Sequence, residues 1–249
     1  MSFKPFALTL LALFAASAFG QATPQGDPIG TSRPSFSDTS QIVPVRSLQL
    51  EAGLSLYRRG GREVERWELG EALFRYGLAP RAELRLQLPN DVLPRQGVDG
   101  FDNTILAASF YLGQVGGWDV GVVPGVEIPS GARPYRDETL TPNASLNLGR
   151  SFGKTGVAAT LAAAYGRDQG RADLSGQGSL VVTHALGPSR IGFVEYAAFL
   201  DRFDQPEHYA HLGLQWIVHR TSQFDVHAAV GLGGAASHEV VGAGYSVRF

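Results

Sequence analysis

Apolar and polar side chains alternate with period two along most of this chain. Leu48, Leu50, Ala52, Leu54 and Leu56 interleave with Gln49, Glu51, Gly53 and Ser55. Ala82, Leu84, Leu86 and Leu88 interleave with Arg81, Glu83, Arg85 and Gln87, and Phe224, Val226, Ala228, Val230 and Leu232 with Gln223, Asp225, His227, Ala229 and Gly231. Successive side chains of a strand point to opposite faces, so each stretch has one apolar and one polar or small-residue face. The pattern predicts twelve strands, at about 46–57, 63–76, 81–89, 102–112, 118–128, 142–150, 156–166, 172–186, 189–200, 208–218, 222–232 and 239–249. Ala162-Ala163-Ala164 has the composition of a helix, but Val157, Thr160, Tyr165 and nearby glycines favour a strand. Pro124 falls inside the fifth segment, where a closed sheet has no free edge for it, and predicts a bulge there.

The connections alternate too. Those after even segments are short, such as Gly77 to Pro80, Gly113 to Gly117 and Gly187 to Pro188. Two after odd segments, 90–101 and 129–141, are long. Short turns on one side and long loops on the other, with an even strand number, fit an outer-membrane barrel whose termini lie in the periplasm. A secreted β-sandwich alternates equally well. Against it, aromatics such as Tyr76, Tyr165 and Trp216 lie near strand ends, where membrane interfaces favour them. The fold expected is all-β, a closed antiparallel transmembrane β-barrel of about 12 strands.

The ends of the chain agree. Lys4, the apolar run Phe6 to Phe14 and the small residues Ala15 to Ala22 read as a signal peptide over 1–22, too short to span a bilayer as a helix. Residues 23–45, rich in Pro, Ser, Thr and Gly, should be irregular, at the periplasmic end or tucked into the lumen; 46–249 forms the barrel. Tyr245, Val247 and Phe249 share one face of the last strand and resemble the C-terminal signal that outer-membrane barrels present to the barrel assembly machinery. There is no cysteine, which removes disulfides and metal thiolates. A net charge of −2 argues against nucleic acid as a partner. A mean hydropathy of −0.03 does not argue against a membrane barrel, because lipid-facing and lumen-facing residues cancel in the average.

Chemistry in a barrel lies on the inward faces. Phase places Glu51, Glu71, Arg75, Glu83, Arg85, Glu195, Asp225, His227 and Arg248 there, since an Arg facing lipid at mid-depth costs about 2–4 kcal/mol. Such charges either line a pore and set its selectivity or pair across a narrow lumen and fill it. Glu195 shares its face with Phe193, which makes either a patch for aromatic solutes or a buried carboxylate paired to Arg75 or Arg85. His208 and His211 are three apart and face opposite ways in a strand; His184 and His227 lack a nearby Gly-x-Ser-x-Gly motif. Neither a catalytic set nor a cofactor or metal motif is visible.

Specific segments also carry a resemblance. Ser32-Arg33-Pro34-Ser35-Phe36, Val43-Pro44 and Leu48 to Gly53 resemble the opening of the phenol-degradation meta-pathway outer-membrane proteins, often called transporters. Phe74 to Leu78, Glu83 to Leu86, Val126 to Gly131, Phe193 to Tyr196, Gln223 to Val226 and the Gly-Tyr-Ser-Val-Arg-Phe ending follow in order. Ile105 to Leu112 departs from the pattern by lacking a basic residue. The resemblance implies a bacterial outer-membrane channel for passive passage of small hydrophobic or aromatic solutes. A non-conducting structural or surface-binding barrel and a barrel lipid hydrolase are the alternatives.

Overall fold

The computed structural model describes residues 28–249 apart from 61–62, 169, 202–204, 235 and 237; the signal peptide expected over 1–22 lies outside the described residues. The strands are β1 (Leu48–Arg59), β2 (Glu63–Ala79), β3 (Ala82–Gln87), β4 (Asp91–Pro94), β5 (Gly100–Phe101), β6 (Thr104–Val115), β7 (Trp118–Ile128), β8 (Thr141–Phe152), β9 (Thr155–Asp168), β10 (Arg171–Gly187), β11 (Arg190–Leu200), β12 (Glu207–His219), β13 (Ser222–Gly234) and β14 (His238–Arg248). Each pairs antiparallel with its neighbour, and β1 pairs with both β2 and β14, so the sheet closes on itself. The result is a closed 12-strand barrel, as the alternation predicts. The β1–β14 seam runs from Gln49 opposite Arg248 to Arg59 opposite His238. Closure leaves no row of unpaired N–H and C=O groups facing hydrocarbon.

The loop expected at 90–101 is partly a sheet. β3 stops at Gln87, and β4 resumes beside the outer half of β2, with Trp67 opposite Leu93, before β5 folds back on β4. β3 and β4 thus share one stave. The bulge expected at Pro124 is absent. Ala107–Gly125 and Phe110–Val122 keep one register across it, and Pro124 itself pairs with Ala144 on β8. The missing N–H interrupts local pairing with β6 without inserting a residue; the shift in β6 falls between Tyr111 and Gly113. A bulge that the alternation did not reveal lies in β2, where Gly70 and Glu71 both have positive φ. Trp67, above it, is exposed outside, while Arg75, below it, is buried inside. An even spacing would otherwise put both on one face.

The distribution of side chains settles which face meets what. Leu54, Leu84, Leu161 and Leu212 are 43–62% exposed on the outside, whereas Glu51, Arg75, Glu83 and Asp225 are fully buried inside. A water-soluble sandwich would show the reverse. Exposed Tyr76, Phe110, Phe152, Phe224 and Tyr245 gather toward the short-turn end and Trp67, Tyr165 and Tyr196 toward the long-loop end, the arrangement of two interfacial belts.

Candidate functional site

Residues 28–47 run through the inside of the barrel. The segment starts beside a short turn, where Ile29 N–H donates to the Arg220 carbonyl. It returns to the same end, where Arg46 N–H donates to the Gly77 carbonyl and Val45 bridges Gly77. Gly77 has to be glycine at this crossing, since a Cβ there would sit 2.1 Å from the Pro44 carbonyl oxygen. In between, the backbone is extended or bent with no ladder of its own, and buried amides need partners. Side chains of the wall supply them.

Three wall carboxylates take the segment's N–H groups. Glu51 on β1 accepts from Ser32 N (2.9 Å) and Arg33 N (3.1 Å), and Glu83 on β3 accepts from Val43 N (2.7 Å). Glu195 on β11 accepts from Phe36 N (2.8 Å), Ser37 N (2.7 Å) and Ser37 Oγ (2.6 Å). The segment returns charge to the wall: Arg33 pairs with Glu71 and Asp225, and Asp38 with Arg85 at 2.5 Å. Gly53 and Gly244 leave the room in which the Arg33 guanidinium lies.

Around this lies a lattice of strand charges. Arg75 bonds Glu51 (2.9 Å) and Glu83 (2.8 Å), and Arg85 bonds Glu83 (2.6 Å). Burying isolated charges is expensive, and here each pair is also hydrogen-bonded, which offsets that cost. A second chain crosses β11, β12 and β13. His211 Nδ1 lies 2.7 Å from Glu195 Oε2, within hydrogen-bond distance, and its Nε2 lies 3.0 Å from His227 Nδ1. The Phe36 ring packs at 4.5 Å over His211, and Phe193 meets His211 edge-on at 5.0 Å. Burial pushes the Asp38 carboxyl up, but Arg85 and the Ser32 hydroxyl outweigh it and hold it below its ordinary value.

All nine inward candidates from the sequence face the interior; the structure brings eight of them onto the segment or its charge lattice, and Arg248 lies at the short-turn end opposite Gln49. Glu195 does not pair with Arg75 or Arg85, as one reading of its phase had it. Those arginines sit on β2 and β3 and pair with Glu51, Glu83 and Asp38, while Glu195, on β11, is bonded to the segment and to His211. Sequence reasoning missed His211, Asp38 and Arg33. His211 shares the inward phase of Tyr209, which was readable; the segment residues have no periodicity to read. Tyr245, Val247 and Phe249 point outward, and Phe249 N–H donates to the Leu48 carbonyl across the seam.

Above the segment is a cavity of about 630 Å³. Phe36 and Asp38 line it from the segment and Ile105, Val123, Ala162 and Phe199 from the wall; it reaches Asp201 and Glu207 at the outer ends of β11 and β12. Beside it, Tyr209, Ala229, Ala236 and Val240 make an inward apolar cluster with Phe36, Tyr57 and Phe199. The long loops also meet. Ala132 N–H donates to the Phe101 carbonyl and Tyr135 Oη to the Val98 carbonyl.

A closed barrel with an apolar exterior, interfacial aromatics and a charged interior defines a bacterial outer-membrane β-barrel protein. Residues 31–249 match the family described as Putative MetA-pathway of phenol degradation, and the chain belongs to that family. Its fold is similar to that of the COG4313 outer membrane channel from Pseudomonas putida F1, at 10% identity, covering 92% of this chain and all of the other, with a TM-score of 0.64. It is also similar to the NanC porin (8% identity, 80% and 100% covered, TM-score 0.61) and the KdgM porin (11% identity, 80% and 99% covered, TM-score 0.56). No curated protein matched the sequence.

Proposed function

We propose that the protein is a passive outer-membrane channel for small hydrophobic or aromatic solutes, with residues 28–47 as an internal stop. The observation that carries this reading is the cavity above the segment, whose mixed aromatic and small apolar lining reaches the outer strand ends. Pockets for small organic molecules have this size and are mostly apolar with a few polar groups. The lattice below it is of mixed sign, so it favours neither strong cation nor strong anion selectivity. The family description, which names phenol degradation, supports the aromatic class.

The test is uptake of a radiolabelled aryl compound by whole cells with and without the protein, paired with planar-bilayer conductance of the refolded chain. Faster uptake, slowed by Phe199→Trp in the cavity wall, is the expected result. Uptake that is the same in both strains sinks the reading. The packed long loops favour a second reading, a barrel that binds ligands at its surface. That reading calls for a silent bilayer and binding that is lost when loop 129–140 is altered. Outward Tyr245, Val247 and Phe249 are suited to recognition by the barrel assembly machinery, and Phe249→Ser should slow assembly without changing the folded barrel.

A further inference from the structure

The rim at the short-turn end is basic. Arg81, Lys154, Arg190 and Arg220 each stand in or beside one of four short turns, and Arg150 covers the remaining one by donating to the Gly116 carbonyl at 3.0 Å. Among the described residues, Asp119 is the one acidic side chain of this rim outside the lumen. It already accepts from the Tyr111 hydroxyl (2.7 Å) and from Gln114 Nε2 (3.0 Å). The opposite rim is built otherwise: there Arg59 pairs with Glu65, Arg66 with Glu68 and Arg95 with Glu63. Among the described residues, no carboxylate lies within ion-pair reach of Arg150, Lys154 or Arg190.

Two of these cations turn toward lipid. Arg150 on β8 keeps the outward phase of Leu146, and Arg190 on β11 that of Val194. Their neighbours are those of a membrane interface. The Arg150 guanidinium carbon lies 4.9 Å from the centre of the exposed Phe152 ring, and Arg190 stands opposite Trp216 in the ladder. Leu186 on β10 and Val218 on β12 are exposed on the same face. A basic side chain in such a place lays its stem along apolar surface and lifts its charge to headgroup level. The fork of a guanidinium matches phosphate oxygens, and basic clusters at a membrane surface attract anionic lipid. We infer that the outer face of the rim from β8 to β12 is a seat for anionic phospholipid headgroups. Arg150, Lys154 and Arg190 take the phosphate, and Phe152, Leu186 and Trp216 meet the glycerol and the upper acyl chains. Short turns face the periplasm in barrels of this kind, so the lipid is that of the periplasmic leaflet. The seat stands whether or not the barrel conducts. An acidic soluble protein fits this face less well, because Arg150 and Arg190 project sideways into the plane of the bilayer and not along the barrel axis.

Trp216 reports on the seat from within it. The chain has three tryptophans, so Trp67→Phe with Trp118→Phe leaves Trp216 as the single fluorophore of the full mature barrel. That barrel is reconstituted in bilayers mixing phosphatidylglycerol and phosphatidylcholine, one or the other brominated on its acyl chains near the glycerol. Quenching then gives the relative affinity of the two lipids at Trp216. A basic residue beside an anionic headgroup is worth about fivefold, so the seat should favour phosphatidylglycerol by at least about tenfold. Arg150→Gln, Lys154→Gln and Arg190→Gln together should bring the two lipids to parity, with the barrel intact by heat-modifiable electrophoresis. Should that triple variant fail to fold, Arg190→Gln alone should lower the preference severalfold. Arg59→Gln, on the opposite rim, should leave it unchanged. Parity in the parent overturns the seat and leaves this rim to a soluble acidic partner. A preference that survives the triple variant, or that falls as far with Arg59→Gln, overturns it as well, since the preference then comes from elsewhere on the barrel or from net charge.

Discussion

Arg75 shows what a single side chain does here. It is fully buried and holds two buried carboxylates in place, with its Nη2 also donating to the Gln41 carbonyl of the segment. Removing it leaves Glu51 and Glu83 desolvated without that partner, a loss of about 3–5 kcal/mol for a buried pair. Arg75→Met should therefore lower the urea midpoint of the barrel in lipid vesicles markedly. Arg59, on an exposed pair with Glu65, offers the contrast: Arg59→Ala should lower the unfolding free energy from the same titration by less than about 1 kcal/mol. The inward phase of Arg75 was legible from its even spacing to Glu71 and the cost of an arginine facing lipid. Its partners were not, because which inward residues face one another depends on strand order around the barrel.

Elements carry two further expectations. Where β2 meets the returning segment, Gly77→Ala places a methyl against the Pro44 backbone, which cannot move aside as a flexible side chain can. The bridge from Val45 to Gly77 should open, seen as faster amide exchange at Arg46 and Gly77 while exchange along β1 and β14 is unchanged. In the outer loops, burial pushes the Asp102 carboxyl up to about 6, more than its hydrogen bond from Asn90 N–H pulls it down. A carboxyl whose folded pKa is raised contributes stability that is fully present below its unfolded value of about 4 and is lost as pH rises through about 6. Protection of the Asp102 and Ala132 amides, corrected for intrinsic exchange, should thus be greater at pH 5 than at pH 8. Asp102→Asn should abolish the difference. The elements themselves were largely readable, with β7 at 118–128 as expected from alternation. The misreadings, a bulge placed at Pro124 and one missed at Gly70–Glu71, share a cause: a bulge is a property of the pair of strands, and one strand's spacing reports it only indirectly.

At the scale of the molecule, wall and segment have separable roles. Every stave has two paired neighbours in the ladder, and none of those pairings passes through residues 28–47. Deleting residues 30–42 should leave a barrel that still refolds and still shows heat-modifiable migration, though less stable because Glu51, Glu83 and Glu195 lose their amide partners. Its conductance should exceed that of the full chain. A deletion variant no more conductive than the parent would show that the segment does not limit the passage.

The sequence by itself determined the class of fold, the strand number and which side chains turn inward. These follow from local rules: side chains alternate along a strand, and lipid rejects charge on one face. Only the tertiary structure decided what the inward charges meet. Residues 28–47 have no periodicity, and their course is set by wall carboxylates contributed by β1, β3 and β11, far apart in sequence. Long-range electrostatic and hydrogen-bond complementarity of that kind leaves no repeating mark along the chain, because it exists only once the barrel has closed around the segment.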